Sequence, residues 1–271
     1  MIQNTSVAMK VEAPSAEDVM RGLRARIIEA ASVSREGHIP SALSILDILW
    51  VLYDRVLNVT PQTIHARTRD RFVLSKGHAS LGLYAVLAEK RFFPSSALES
   101  FGGFDSFLGG HPDGRKVPGV EASTGSLGHG FPMAVGMAMG LRIQKLPARV
   151  YCVVGDGEAN EGTIWEGAAL AAHHRLDHLC CIVDYNHSTD RALALGDIGA
   201  KFSAFEWAVR EVDGHDHEAL YAALTWRPGV PVCIVANTIK GHGCKPMEND
   251  PAWHHRSPTA SELPHLLGAL S

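Results

Sequence analysis

A Gly-Asp-Gly turn (Gly155-Asp156-Gly157) ends one short apolar run of the chain, and an asparagine, Asn186, follows the next. The runs YCVV (151–154) and CCIV (180–183) have the length and composition of buried parallel strands, and the stretch from Asn160 to His174 between them reads as helix. A crossover of this kind returns the chain to the same edge of the sheet, so the two strand ends meet. Asp156 and Asn186 then offer two hard oxygen ligands side by side, while Gly155 and Gly157 let phosphate oxygens approach the backbone. This is the chemistry of a magnesium ion held by few protein ligands together with a diphosphate. Alone, the tripeptide reads equally well as an ordinary tight turn, because Gly and Asp dominate turns for their own reasons. The second strand with its terminal Asn favours the clamp.

The elements that must position this pair follow from pattern and punctuation. Ser15-Ala-Glu-Asp18 resembles a capping box opening a helix to about Ser32, with Val19, Leu23, Ile27 and Ile28 in one apolar stripe. A loop with Gly37, His38 and Pro40 precedes a helix over 43–57, and RFVLSKGH (71–78) reads as a strand delivering a polar, glycine-bearing loop. Residues Phe92 to Glu121, rich in Gly, Pro and Phe, predict irregular surface structure. The turn STGSLGHG (123–130) leads into a helix of small residues suited to close packing, including packing against another subunit. Beyond the clamp, SAFEWAVREVDGHD (203–216) predicts helix then strand, HEALYAALT a helix, and VPVCIVANT (230–238) a buried strand. A polar loop from Lys240 to Pro258 and a closing helix complete the chain.

At 271 residues and 46% apolar content, the βα alternation predicts one α/β domain with a parallel sheet flanked by helices on both faces, spanning 15–271 after a flexible N-terminus at 1–14. A net charge of −4 without a run of one sign gives no footprint for nucleic acid or an anionic membrane. Neither a long apolar span nor a signal peptide is present, so a cytoplasmic location is expected. Of five cysteines, Cys152, Cys180, Cys181 and Cys233 fall in predicted buried strands, where a reduced thiol packs as a small apolar group, and no zinc spacing occurs.

With the clamp in place, SREGHIPSALSILDILWVLY (34–53), DRFVLSKGHAS (70–80), GGHPDGRKVPGVEASTGSLGHG (109–130) and FEWAVREVDGHD (205–216) together resemble the N-terminal half of transketolases, in the family's order. The resemblance implies a thiamine-diphosphate-binding domain of the diphosphate (PP) type, with thiamine diphosphate and Mg²⁺ as cofactors. It implies transfer of a two-carbon ketol unit from a ketose to an aldose. Family members continue into a pyrimidine-binding and a C-terminal domain, whereas this sequence stops at Ser271. The expectation is therefore a split transketolase, inactive alone, whose partner is a C-terminal subunit carrying those two domains. A heterotetramer or larger assembly acting on sugars or sugar phosphates is expected.

The resemblance places Asp156, Asn186 and the carbonyl of Ser188 on Mg²⁺, and Gly157, Asn186, His78 and the Gly125-Ser126-Leu127 loop on the cofactor. It places His38 and His111 in the substrate channel, and His254 against both substrate and cofactor. Histidine suits these positions, since it exchanges protons near neutral pH. His255 stands where the family has glycine, so either His254 or His255 could be the ligand, with His254 preferred; His129 stands where glutamine is common. Glu161 and Glu166 match acidic positions at the family's subunit interface, a solvated helix face being the plain alternative. His173, His174, His178 and His242 read as surface or helix-end residues. The competing functions are the α-type subunit of a thiamine-dependent 2-oxo acid dehydrogenase, a synthase joining pyruvate to glyceraldehyde phosphate, a noncatalytic regulatory or assembly subunit, and a magnesium phosphohydrolase. GHIPSALS and SKGHAS argue against the first and TGSLGHG against the second; intact Asp156, Asn186, His38, His78 and His111 speak against the third, and no water activator near Asp156 supports the last.

Overall fold

A computed structural model describes residues 15–190 and 192–271; the expected flexible start at 1–14 lies outside them. Five strands, β1 (Arg71–Leu74), β2 (Val150–Gly155), β3 (Leu179–Tyr185), β4 (Ala208–Asp213) and β5 (Val232–Asn237), form one sheet in the order β1-β2-β3-β5-β4. Every neighbouring pair is parallel. The central strands are covered on both faces, which is why they read as continuous apolar runs, whereas edge strand β4 carries only half-buried and exposed residues. Side chains on each strand alternate between two cores. Tyr151, Val153, Cys180, Ile182, Val232 and Ile234 enter the larger core; Cys152, Val154, Cys181, Val183, Cys233 and Val235 enter the other.

The helices are α1 (Ala16–Ser34), α2 (Ile39–Ser44), α3 (Leu46–Val51), α4 (Ser80–Glu89), α5 (Gly130–Ile143), α6 (Gly162–His173), α7 (Ile198–Ala204), α8 (His217–Leu224) and α9 (Leu263–Gly268). Residues of α1 to α4 and α8 build the larger core, and those of α5 to α7 the smaller. Helix α1 begins as its sequence dictates, with the Ser15 hydroxyl accepting the Asp18 N–H at 3.1 Å, and it ends on Arg35 in the left-handed region. Its stripe of Leu23, Ile27 and Ile28 is fully buried, worth roughly 1.5–3 kcal/mol for each side chain.

Two expected boundaries differ. The helix predicted over 43–57 starts earlier, at Ile39, because Pro40 falls in its first turn, where a missing N–H costs nothing; it then breaks at Ile45 and finishes as a π-helical turn at Leu52–Val56. The helix expected from 203 lies mostly before it, at Ile198–Ala204, capped by Asp197. Among the described residues, no helix is long and apolar enough to cross a membrane. All five cysteines are reduced and buried.

Candidate functional site

Strands β1, β2, β3 and β5 deliver Ser75–His78, Asp156–Glu158, Asn186–Ser188 and Thr238–Lys240 to the same C-terminal edge of the sheet. Asp156 is 2% exposed and Asn186 6%, so the pair is buried. The reason is the layer above it, where residues 188 and 189 fold back over the strand ends. The Ser188 N–H donates to Asp156 Oδ2 at 2.7 Å and to Asn186 Oδ1 at 3.2 Å, which brings the two side-chain oxygens to one point. Asp156 Oδ1 accepts the Gly157 N–H at 2.7 Å. Burial first, and the neighbouring Asp184 carboxylate second, push the Asp156 carboxyl above the usual range. A cation there would relieve both effects. Two hard oxygens, one anionic and held in a polar turn, suit magnesium.

Asn186 has no freedom to turn its oxygen away. Its Nδ2 donates to Asp184 Oδ2 at 2.8 Å and to Ser44 Oγ at 3.0 Å, so Oδ1 is left facing Ser188. Asp184, fully buried, accepts in addition from Ser44 Oγ at 2.6 Å, from Thr238 and from the buried Lys76 ammonium. The Lys76–Asp184 ion pair is not apparent in the sequence, nor is the part played by Lys240. The Lys240 ammonium stands 2.9 Å from Ser188 Oγ and 3.1 Å from His254 Nδ1. Burial, then repulsion from Lys76, pushes its pKa down to about 8. A cavity of about 430 Å³ opens over Asn186, Ser188, Asp190, Lys240, Asp250 and His254.

The glycines of the first two motifs let their loops meet. A side chain on Gly77 would place its Cβ 2.8 Å from the Gly125 nitrogen, and Thr124 Oγ1 reaches the Leu74 carbonyl at 2.6 Å, so the SKGH and TGSLGHG turns are in backbone contact. The His111 ring covers Gly125. Helix α4 holds that loop through Tyr84 Oη on the His111 carbonyl at 2.9 Å and Ser80 Oγ on the Gly110 carbonyl at 2.8 Å. Ser126 is exposed and Leu127 half-buried. Gly37 lies against the backbone of His255 and Arg256, where a Cβ would come within 2.8 Å, and so draws the 254–256 loop onto His38.

Ring centroids of His78, His254 and His255 lie 4.9, 5.7 and 4.6 Å from that of His38, whose backbone is held at φ 107°. Burial, and then the surrounding cationic groups, lower His38 from 6.5 to about 4 and His78 to about 2. Both are neutral near pH 7, and the His38 Nδ1 is buried without a protein partner among the described residues. Both imidazoles bind a proton more weakly folded than unfolded. Stability from this cluster is therefore complete above 6.5 and is lost as pH falls towards the His38 value of about 4. Melting temperature measured over that interval should drop, with a shallower drop in a His38→Asn/His78→Asn double variant.

His242 is not the surface residue expected from its polar surroundings. It is half-buried and stacked on His215, with ring centroids 3.5 Å apart. His178 is also half-buried, its Nε2 on the Ala138 carbonyl at 2.8 Å, whereas His173 and His174 sit at the end of α6 as expected. Asp47, His215 and His242 bring ligand atoms within 4.8 Å of one another, the spacing of a metal centre. His215 has no lone pair to give, however: its Nε2 accepts the Ile239 N–H at 2.9 Å, so Nδ1 carries the proton facing Asp47 at 2.9 Å. The buried Asp47 is also bonded by His217 and lies beside Arg24. Although burial opposes its ionisation, these hydrogen bonds and the Arg24 charge hold its carboxyl below the usual range. The group instead fixes the backbone one residue before Lys240. Glu161, Glu166 and His129 are exposed.

Residues 15–265 match the family described as transketolase, thiamine diphosphate binding domain. The chain is 36% identical over 256 residues to an apulose-4-phosphate transketolase subunit of Phocaeicola vulgatus, covering 92% of this chain and 91% of that one. It is 40% identical over 227 residues to the 6-deoxy-6-sulfo-D-fructose transketolase subunit SqwG of a Clostridium species, covering 81% and 82%. Superposition on the solved transketolase of Leishmania mexicana gives a TM-score of 0.84 at 28% identity over 95% of this chain and 42% of that one. With a five-stranded parallel sheet, the motif loops gathered at one edge and relatives of near-equal length that are transketolase subunits, the chain belongs to the transketolase family, in its thiamine-diphosphate-binding domain.

Proposed function

We propose that this chain is the diphosphate-binding subunit of a two-chain transketolase, moving a two-carbon ketol unit from a ketose to an aldose with thiamine diphosphate and Mg²⁺. The observation that carries the reading is the convergence of the Asp156 and Asn186 oxygens beside Ser188, at the sheet edge that also carries the two glycine loops. Asp156, Asn186 and the Ser188 carbonyl would hold the metal. Gly157, the Gly125-Ser126-Leu127 loop and His78 would receive the cofactor, with Lys240 adding a positive charge at its anionic end. Bound thiamine diphosphate supplies the electron sink that carbon–carbon cleavage needs. His38, His111 and His254 would hold or move protons at the sugar oxygens, a task for which a neutral imidazole can serve as donor or acceptor.

Relatives of matching length that are called subunits support a partner chain, which would supply the pyrimidine-binding and C-terminal domains in a heterotetramer or larger assembly. Helices α5 and α6 leave Met133, Ile143 and Leu170 exposed, together with Glu161 and Glu166, which suits burial against that partner. The buried, reduced cysteines fit a cytoplasmic location. The reaction class is tested by assaying the reconstituted pair against a panel of ketose donors and 2-oxo acids. Two-carbon transfer from a ketose is expected, and decarboxylation of a 2-oxo acid without such transfer would replace this reading with the dehydrogenase alternative.

A further inference from the structure

We propose that Glu158 is a positioning residue that ties the three cofactor-facing loops into one rigid cradle, an inference that rests on the reading of this site as a diphosphate cradle. Glu158 directly follows the Gly-Asp-Gly turn and is 1% exposed. One carboxylate oxygen, Oε1, accepts from Ser75 Oγ at 2.5 Å and from the Gly128 N–H at 2.9 Å. The other, Oε2, accepts the Gly155 N–H at 3.1 Å. Ser75 begins the SKGH turn, Gly128 lies in the TGSLGHG turn, and Gly155 opens the Gly-Asp-Gly turn. A single side chain therefore joins loops delivered by β1, by the segment entering α5 and by β2. Two further contacts close the same joint. The Thr163 hydroxyl donates to the Gly128 carbonyl at 2.7 Å, and a side chain on Gly130 would place its Cβ 2.6 Å from the Ser75 Cα.

A solvated glutamate would serve a surface turn equally well. A buried carboxylate carries a desolvation cost that only well-placed donors offset, so its retention here needs a reason beyond the turn itself. Both oxygens are occupied by protein donors. Glu158 thus acts on a ligand through Gly128, Gly155 and Ser75 and not by touching it. Its effect is to fix the distance between the turn carrying Asp156 and the turn carrying Gly125, the two walls between which a diphosphate would lie. Preorganisation of this kind appears in binding affinity, because a loose cradle must be ordered when the ligand enters.

The test uses Glu158→Gln, Glu158→Ala and Asp156→Ala in the full chain complexed with its partner. Thiamine diphosphate is titrated in the presence of Mg²⁺, and hydrogen exchange is followed at 123–130 and 153–157 without cofactor. Glu158→Gln keeps the shape but faces one backbone N–H with an amide donor. It is expected to weaken cofactor binding about tenfold or more, the loss of a hydrogen bond to a charged group, and to speed exchange in both loops. The KM for the sugar and kcat at saturating cofactor should stay near wild type. Unchanged cofactor affinity with only a lowered melting temperature overturns the proposal and leaves Glu158 a structural residue. If Glu158→Ala does not fold, the glutamine variant alone decides. Lost binding in Asp156→Ala beside unchanged binding in Glu158→Gln confines the failure to Glu158, whereas unchanged binding in both refutes the cradle as well.

Discussion

Asp156→Ala is expected to abolish Mg²⁺-dependent retention of thiamine diphosphate, and with it activity of the two-chain enzyme, while leaving the fold of the unliganded chain intact. The two halves of this result have one cause. Asp156 is buried, its carboxyl is pushed upward by burial and by Asp184, and its ionised form at neutral pH is held against both. Removing it lifts that cost from the unliganded protein but leaves the Gly157 N–H without its acceptor, so the melting temperature without cofactor should change little. The same removal leaves Asn186 alone of the two side-chain ligands proposed for the metal. The loss of affinity should exceed the ~10–100-fold that follows when only an outer-shell partner of a metal ligand is lost. Calorimetric titration with and without Mg²⁺ reads the binding half, and a thermal melt of the unliganded chain reads the other. Cofactor binding that remains Mg²⁺-dependent and undiminished would remove Asp156 from the metal.

Lys76→Ala should have the largest effect on stability, destabilising the chain by about 3 to 5 kcal/mol, because it strips the paired ammonium from a buried carboxylate. The Lys76 and Asp184 side chains are 2% and 0% exposed, so the carboxylate is held away from bulk solvent. Ser44, Thr238 and Asn186 would still donate to Asp184, but none carries a charge. Against a typical total of about 5–15 kcal/mol, this is a large fraction, and denaturant unfolding should show a clear fall in midpoint. A Lys76→Met/Asp184→Asn double variant removes both charges and should recover part of the stability. Its cofactor affinity should stay low, since Asp184 is also what orients Asn186. A single variant as stable as wild type would mean that the pair carries no such coupling.

The parallel strands are legible in the sequence because burial on both faces leaves a continuous apolar run, as in YCVV and CCIV. Asp156 and Asn186 are legible as neighbours because a crossover of that length allows few other arrangements. What supports them is not legible in the same way. Glu158 reaches Ser75 across 83 residues, Lys76 reaches Asp184 across 108, and His215 reaches Asp47 across 168. No local spacing encodes such pairs, and each residue taken alone resembles an ordinary surface charge. His242 reads as a surface residue for the same reason, as its polar sequence neighbours conceal the stacked His215 ring. Lys240 sits at the start of a polar loop, and only the return of β5 beside β3 brings it to Ser188.

In the proposed function, this chain holds the diphosphate end of a cofactor whose other end belongs to a second chain. The most direct measurement is transfer of a two-carbon unit from a ketose to an aldose, with thiamine diphosphate and Mg²⁺ present, for this chain alone, for its partner alone and for the two mixed. Turnover is expected in the mixture and in neither chain by itself. Turnover by this chain alone, or a stable cofactor-loaded complex that transfers nothing, would contradict it.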